Sequence, residues 1–235
     1  MKKALITGAN KGIGFEIAKQ LKAAGYEIFI GARNANRGQE AATVLGGKYV
    51  PVDLNDLHNL AEIQQAVGTL DVLVNNAGIP GDMHKSGLDF SDRELRETME
   101  VNFFGTHQLI DGLRTNLAAD GVIINVTIPV TPKAYFSPLA YQTSKAAQNV
   151  LTMNYGMVFA QSGSQRRIWG FMPGAVATDL NGLAAGGFVK TPAAAAELIV
   201  ATLSDGQNHN GKLVNWDGSE IAAYEVDFNQ LSVQG

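Results

Sequence analysis

A tyrosine and a lysine, four positions apart, are the side chains in this sequence best suited to proton transfer. They are Tyr141 and Lys145, and this spacing places both on one face of a helix. A phenol has a pKa of about 10 and is protonated at neutral pH, but a nearby ammonium favours the phenolate and lowers that pKa. Such a tyrosine can give a proton to an oxygen atom and regain it, as general acid or base. The spacing alone is common, so an exposed helix face is the alternative interpretation.

A glycine-rich turn near the start of the chain is the second motif with chemical meaning. The apolar run Ala4-Leu5-Ile6 precedes T-G-A-N-K-G-I-G at positions 7–14, and apolar residues then recur at helical spacing. Glycines between a strand and a helix let the backbone approach a pyrophosphate, which rests on amides at the helix N-terminus. The pattern alone is weak evidence, since a tight turn without a ligand has it too. Its position at the first strand favours phosphate binding.

The end of the second predicted strand indicates which dinucleotide this turn would bind. An acidic residue there binds the 2′-hydroxyl of NAD, whereas an arginine accommodates the 2′-phosphate of NADP. The sequence has Ala32 and Arg33 at this point and no acid, and Lys11 adds a second cation within the turn. Each cation alone is more simply explained as an ordinary surface residue. Together they favour NADP(H) as the cofactor.

Strands and helices alternate along the whole chain, and these elements must position the motifs. We predict strands at 2–6, 27–31, 49–52, 71–74, 121–127, 167–172 and 211–216. We predict a first helix ending at Gly25 and others at 37–45, 57–67, 92–100, 102–117, 141–161 and 192–203. Such alternation is typical of an α/β fold with a parallel sheet covered on both faces. No linker divides the chain, so we predict one domain over residues 1–235.

Helix caps support several of these boundaries. Ser91 begins a capping box, and Thr191 precedes a proline at the first position of the last helix. Asp53 has two interpretations, because its carboxylate can cap the third helix or accept from the adenine amino group of a dinucleotide. Asn55 can equally provide that cap.

Composition limits the classes of function. The chain has 235 residues, 46% of them hydrophobic and 17% charged, with a net charge of −4 and no cysteine. Disulfides and thiol catalysis are therefore excluded, and nothing indicates nucleic acid or an anionic membrane as a partner. No apolar run approaches the ~20 residues of a membrane helix, and the early strand leaves no room for a signal peptide. We expect a soluble cytoplasmic protein, and no metal site, since the histidines lack metal-ligand spacing.

Taken together, the motifs resemble those of the short-chain dehydrogenase/reductase family. The matching residues follow the family's order over nearly the whole chain: Thr7, Gly8, Gly12, Ile13, Gly14, Asp53, Asn75, Asn76, Ala77, Gly78, Asn102, Tyr141, Lys145, Pro173, Gly174 and Thr178. The glycine-rich turn with Gly31-Ala32-Arg33 is most similar to NADPH-dependent carbonyl reductases. The resemblance implies a Rossmann-type doubly wound parallel sheet of about seven strands, with helices on both faces.

The resemblance also implies a role for each residue. Tyr141 would donate the proton, Lys145 would bind the nicotinamide ribose and lower the Tyr141 pKa, and Asn102 would hold a water behind Lys145. Residues 179–188 would form a mobile substrate lid. The implied cofactor contacts are Gly8, Asn10, Lys11, Gly12, Ile13, Gly14, Arg33, Asp53, Leu54, Asn75, Ala77, Gly78, Tyr141, Lys145, Pro173, Gly174, Val176 and Thr178.

One departure from the family pattern bears on activity. The family has a serine thirteen residues before the tyrosine, where this sequence has Ile128. That serine donates a hydrogen bond to the substrate carbonyl oxygen, and losing one such donor typically costs ~3 kcal/mol. Thr127, Thr131 and Ser137 are candidate replacements. Thr127 would need an irregular strand end, because adjacent side chains on a strand point to opposite faces.

The sequence thus predicts an NADPH-dependent enzyme that reduces a ketone or aldehyde to an alcohol, with a small carbonyl or alcohol compound as substrate. The alternative is an NADP(H)-binding protein of the same fold with weak, redirected or no redox activity, because of Ile128. By family resemblance, the helices at 102–117 and 141–161 are the usual assembly surface, so a homodimer or homotetramer is expected.

Overall fold

A seven-stranded sheet, parallel throughout, forms the centre of the protein. The structure, a computed structural model, describes residues 1–131, 138–180 and 182–221. The strand order is β3-β2-β1-β4-β5-β6-β7, which confirms the predicted Rossmann-type fold. The strands are β1 Lys3–Thr7, β2 Glu27–Ala32, β3 Lys48–Pro51, β4 Leu70–Asn75, β5 Leu117–Val126, β6 Arg167–Met172 and β7 Leu213–Asn215.

Helices cover both faces of this sheet. They are α1 Gly12–Ala23, α2 Ala35–Leu45, α3 Leu60–Val67, α4 Asp92–Met99, α5 Thr106–Leu113, α6 Leu139–Gln161 and α7 Pro192–Ala201. A π-helical segment, Glu100–Gly105, joins α4 to α5. The capping box at Ser91 and the Thr191 cap are present as predicted. Gly25 follows the end of α1 with a φ of +87°, a conformation that glycine adopts without strain.

Two hydrophobic cores lie on opposite faces of the sheet because side chains alternate along each strand. In β1, Ile6 belongs to the core under α1, α2 and α7, whereas Leu5 belongs to the core under α3, α5 and α6. In β5, Ile124 and Ile123 are divided in the same way. This double burial explains why the central strands are almost continuously apolar.

Several helix boundaries differ from the predicted ones, and two of the differences follow from side-chain hydrogen bonds. The third helix begins at Leu60 rather than 57, because Asp53 accepts from the amide of Asn55 at 3.0 Å and so forms a turn instead of a cap. The helix predicted at 102–117 ends at Leu113. There Asn116 turns away and donates to the carbonyl oxygens of Gln64 and Gly68, at 3.0 and 2.7 Å. Strand β5 consequently begins at Leu117 rather than at 121.

Candidate active site

The glycine-rich turn lies at the carboxyl end of β1 and packs too tightly for side chains. Gly8 and Gly12 have φ values of +66° and +61°. A Cβ added at Gly8 would lie 3.0 Å from the Ala77 Cα, and one at Gly14 would lie 2.6 Å from the Gly8 carbonyl oxygen. Lys11 precedes α1 and provides no side-chain cap to it. The turn thus offers backbone amides at a helix N-terminus, which suits an anionic group such as a pyrophosphate.

Thr7 and Asn76 hold this turn against the segment after β4. The Thr7 hydroxyl accepts from the amides of Asn76 and Ala77, at 3.0 Å each, and the Asn76 side chain donates to the Thr7 carbonyl oxygen at 3.0 Å. β1 and β4 are neighbours at the point where the strand order reverses, and open α/β sheets bind their ligands there. The sequence motif included both residues, but it did not reveal that they fasten one loop to the other.

Asn75 and Leu54, two of the predicted cofactor contacts, have their side chains inside the protein. Asn75 is 1% exposed and donates to Asn125 Oδ1 at 2.8 Å, while Leu54 is 5% exposed and lies in a hydrophobic core. A cofactor would therefore meet the main chain at these positions. Asp53 is half-buried, and its carboxylate already accepts from the Asn55 amide.

Helix α6 carries the proton-transfer pair. The Lys145 ammonium donates to the Val126 carbonyl oxygen at 2.8 Å and to Gln148 Oε1 at 3.1 Å. Its Nζ atom lies 5.8 Å from the centre of the Tyr141 ring. Tyr141 is 9% exposed and Lys145 is 2% exposed. The exposed-helix alternative for this pair is therefore wrong, because both side chains are buried.

Burial controls the proton affinities of the pair. It raises the pKa of Tyr141 to about 12 and lowers the pKa of Lys145 to about 7, because each charged form loses hydration. The expected lowering of the Tyr141 pKa is therefore not seen in this structure, because burial raises that pKa instead. A neutral phenol is the form that gives a proton, so the arrangement suits Tyr141 as an acid.

Asn102 lies in the π-helical segment and is completely buried. Its side chain accepts from the Ile79 amide at 2.8 Å and donates to the Ile79 carbonyl oxygen at 2.8 Å and to Ser144 Oγ at 2.9 Å. It therefore joins the segment after β4 to α6. Gly78 permits this approach, since a Cβ there would lie 3.0 Å from Asn102 Oδ1 and 3.9 Å from Lys145 Nζ.

The end of β5 shows which candidates remain for the missing serine. The Thr127 hydroxyl donates to Asn149 Oδ1 at 2.6 Å, and Thr127 is 1% exposed. The Thr127 hydroxyl is thus already engaged in a hydrogen bond inside the protein. Ile128 is half-buried and Thr131 is exposed, while Ser137 lies outside the described residues.

Cations gather where the glycine-rich turn meets the loop after β6. Lys11 forms an exposed ion pair with Asp179 at 2.7 Å. Hydrogen bonding to Lys11 is the main cause of the lowered Asp179 pKa, and the charge of Arg37 adds to it. Arg33 is exposed at the end of β2. The sequence motifs did not include Arg37, which lies in the first turn of α2.

The segment after β6 crosses the same end of the sheet. Pro173 is buried, Val176 is 4% exposed, and residue 176 forms a parallel bridge with Lys190. A Cβ at Gly12 would lie 3.8 Å from Thr178 Cγ2, so this segment passes close to the glycine-rich turn. In the loop that follows, the glycines with positive φ are Gly182, Gly186 and Gly187.

The remaining predicted contacts, Asn10 and Ile13, are half-buried in the same turn. The structure therefore gathers the glycine-rich turn, the cations, the segment after β4 and the Tyr141–Lys145 pair along the carboxyl end of the sheet. Within the described ranges, no helix has the length and apolarity to cross a membrane.

Known proteins are similar to this chain in sequence. The family model described as short chain dehydrogenase matches residues 2–185. The chain is 32% identical over 192 residues to a 3-beta-hydroxysteroid dehydrogenase of Comamonas testosteroni, covering 76% of this chain and 72% of that protein. It is 34% identical over 142 residues to an NADPH carbonyl reductase of Mus musculus, covering 56% of this chain and 50% of that protein. It thus spans about half the length of that carbonyl reductase.

Solved structures agree in fold. An NADPH-bound carbonyl reductase from chicken fatty liver has a TM-score of 0.83 at 24% identity, covering 94% of this chain and 99% of that one. A short chain dehydrogenase of Burkholderia cenocepacia in complex with NADP has a TM-score of 0.80 at 25% identity, covering 93% and 97%. On the sequence match, the motif order and the fold, this chain belongs to the short-chain dehydrogenase family of oxidoreductases.

Proposed function

We propose that this protein is an NADPH-dependent carbonyl reductase that converts a ketone or an aldehyde to an alcohol. The observation that carries the proposal is the buried Tyr141–Lys145 pair together with a glycine-rich turn that has no space for a side chain at Gly8 or Gly14. Similarity to a carbonyl reductase whose name includes NADPH, and to a solved structure in complex with NADP, supports NADPH as the cofactor. NADPH, when bound, supplies the hydride that the carbonyl carbon accepts.

The cofactor would be held by the turn and by the cations next to it. Amides at the start of α1 suit the pyrophosphate, and Gly8 and Gly14 let the turn pack closely against Asn76 and Ala77. Lys11 and Arg33 suit the 2′-phosphate that distinguishes NADPH from NADH. Arg37 joins them in this proposal, because its charge reaches the same carboxylate as Lys11. Pro173, Gly174, Val176 and Thr178 would line the nicotinamide.

The protein's own residues would carry the proton. Tyr141 would donate its phenolic proton to the carbonyl oxygen as the carbon accepts the hydride, which leaves an alcohol and a phenolate. Lys145 would stabilise that phenolate and bind the nicotinamide ribose. Asn102 would act through position, since it ties α6 to the segment after β4 by three hydrogen bonds.

A second candidate function rests on Ile128. This residue stands where the family has the serine that donates to the substrate oxygen, and the adjacent Thr127 hydroxyl is already bound to Asn149. A protein that binds NADP(H) with weak or redirected redox activity would have such a site. The expected loss without the donor is about 10²–10³ in rate.

One experiment separates the two candidates. NADPH consumption is measured with a panel of ketones and aldehydes for the wild-type protein, Ile128→Ser and Tyr141→Phe, and NADPH affinity is titrated in parallel. The reductase predicts turnover by the wild type, an increase for Ile128→Ser and loss for Tyr141→Phe, all with similar affinity. Tight NADPH binding without turnover, unchanged in Ile128→Ser, would support the second candidate.

Assembly and location stay predictions. Val150 and Met157 on α6 are 55% and 49% exposed, which supports the proposal of a homodimer or homotetramer. We also propose a cytoplasmic location and a single domain over residues 1–235.

A further inference from the structure

A buried glutamine stands directly behind the proton-transfer pair. Gln148 is 0% exposed and follows Lys145 by three positions on α6. Its Oε1 accepts from the Lys145 ammonium at 3.1 Å, and its Nε2 donates to the main-chain carbonyl oxygen of Asn102 at 3.4 Å. A side chain therefore joins Lys145 to Asn102 directly, at the place where the family resemblance predicted a water held by Asn102.

The orientation of this amide is fixed by its two partners. An ammonium can only donate a hydrogen bond, and a main-chain carbonyl can only accept one. The Gln148 oxygen must therefore face Lys145 and its nitrogen must face Asn102. Water donates and accepts through one atom and can pass a proton along, whereas this amide accepts at its oxygen and donates at its nitrogen. The link is thus a support that carries no proton.

The surroundings of the ammonium give this link its importance. Lys145 Nζ is faced by the Val126 carbonyl from β5, the Gly78 backbone, and Gln148 and Tyr141 from α6. Of these described neighbours, only Tyr141 titrates, and burial alone shifts the Lys145 pKa. No described charge therefore compensates the ammonium, and two neutral oxygen atoms stabilise it instead.

We propose that Gln148 is a positioning residue of the active site, which holds the Lys145 ammonium toward Tyr141 through its hydrogen bond to Nζ. This inference rests on the proposed function for its kinetic consequences. Its effect on Lys145 itself does not depend on any activity.

The direct test is the titration of the Lys145 side chain by nitrogen NMR in cofactor-free protein, with the signal assigned through Lys145→Gln. Gln148→Leu removes the acceptor at similar volume, and the titration midpoint should fall by about one to two pH units. Gln148→Glu places a carboxylate at the same position, and the midpoint should rise by about one to three pH units.

Thr152→Val is the matched control on the same helix. Thr152 is completely buried, accepts from Asn125 Nδ2 at 2.8 Å and donates to the Gln148 carbonyl oxygen, but it does not contact Lys145. Its midpoint should match that of the wild type. An unchanged midpoint in Gln148→Leu, or the same shift in Thr152→Val, would overturn the proposal. If Gln148→Leu does not fold, Gln148→Glu decides by the presence or absence of the upward shift.

The pH profile of kcat/KM for NADPH-dependent reduction gives the kinetic readout. The limb of this profile that reflects the titration of Lys145 should move in the same direction as the NMR midpoint in each variant. If the protein has no reductase activity, the NMR result still stands, so failure of the proposed function is distinguished from failure of this inference. NMR shifts without any movement of the limb would contradict the catalytic part.

Discussion

One methyl group at Gly14 should weaken cofactor binding beyond what its effect on stability explains. A Cβ there would lie 2.5 Å from Asn76 Nδ2 and 2.6 Å from the Gly8 carbonyl oxygen, both well inside van der Waals contact. The Asn76 amide would have to leave its 3.0 Å hydrogen bond to Thr7, and the backbone of the turn would have to move. The disturbance is thus centred on the glycine-rich turn that would receive the pyrophosphate.

Three effects decide the size of the change in Gly14→Ala. Alanine gains about 1 kcal/mol over glycine within a helix. Overpacking costs about 1–3 kcal/mol, and the lost hydrogen bond of Asn76 costs about 1 kcal/mol more. The losses are larger, so the free energy of unfolding should fall by about 1–3 kcal/mol. The Kd for NADPH should rise about tenfold or more, since about 1.4 kcal/mol corresponds to a factor of ten.

Gly25→Ala provides the control, because Gly25 follows the other end of the same helix. Its φ is +87° and a Cβ there would meet nothing within 4 Å. Alanine should therefore cost about 1–2 kcal/mol through backbone strain alone. Urea unfolding and NADPH titration are measured for both variants. Wild-type NADPH affinity in Gly14→Ala, or equal losses of affinity in the two variants, would refute the reasoning.

Three further changes test other parts of the site. Asp179→Asn should tighten NADPH binding up to about fivefold at low salt by releasing Lys11 from an exposed ion pair; an equal gain for NADH, which lacks the 2′-phosphate, would contradict this. Burial lowers the pKa of Lys145 to about 7, so the unfolded chain binds more protons from there to about pH 10. The free energy of unfolding should therefore rise by roughly 1–4 kcal/mol over that window in cofactor-free protein, measured with denaturant, but not in Lys145→Met. Thr127→Val should cost about 1–3 kcal/mol in stability, since it leaves Asn149 Oδ1 without its 2.6 Å donor. A large loss of kcat in Thr127→Val, with stability unchanged, would instead identify Thr127 as the substrate donor.

The fold could be predicted from the sequence because the sheet is buried on both faces, which makes its strands rich in apolar residues. Each of the seven predicted strands overlaps one of the seven strands of the sheet, and the Arg167–Met172 strand has the predicted bounds. The glycine-rich turn could be located for a related reason. Glycine is required at these positions because any side chain would prevent the close backbone contacts. This requirement is local, so it is visible in the residue types.

Features that depend on contacts between distant segments were not predictable in this way. The π-helical segment Glu100–Gly105 lies where the sequence has a helical pattern, and within it Asn102 bonds to Ile79 and Ser144, which are distant in the chain. The hydrogen bond from Thr127 to Asn149 likewise depends on how α6 packs against β5. Gln148 has the polar character of a surface residue, and its burial is apparent only once the helix is placed on the sheet.

The side chains of Asn75, Asn125 and Thr152 form a chain of hydrogen bonds from β4 through β5 to α6, at 2.8 Å each. Replacing one of them by an apolar residue leaves a neighbouring buried amide or hydroxyl unpaired, at a cost of about 1–3 kcal/mol. Replacing the partners together avoids much of that cost. The three positions should therefore evolve as a unit: substitutions at them should be strongly epistatic, and an alignment of close relatives should show them changing jointly or not at all.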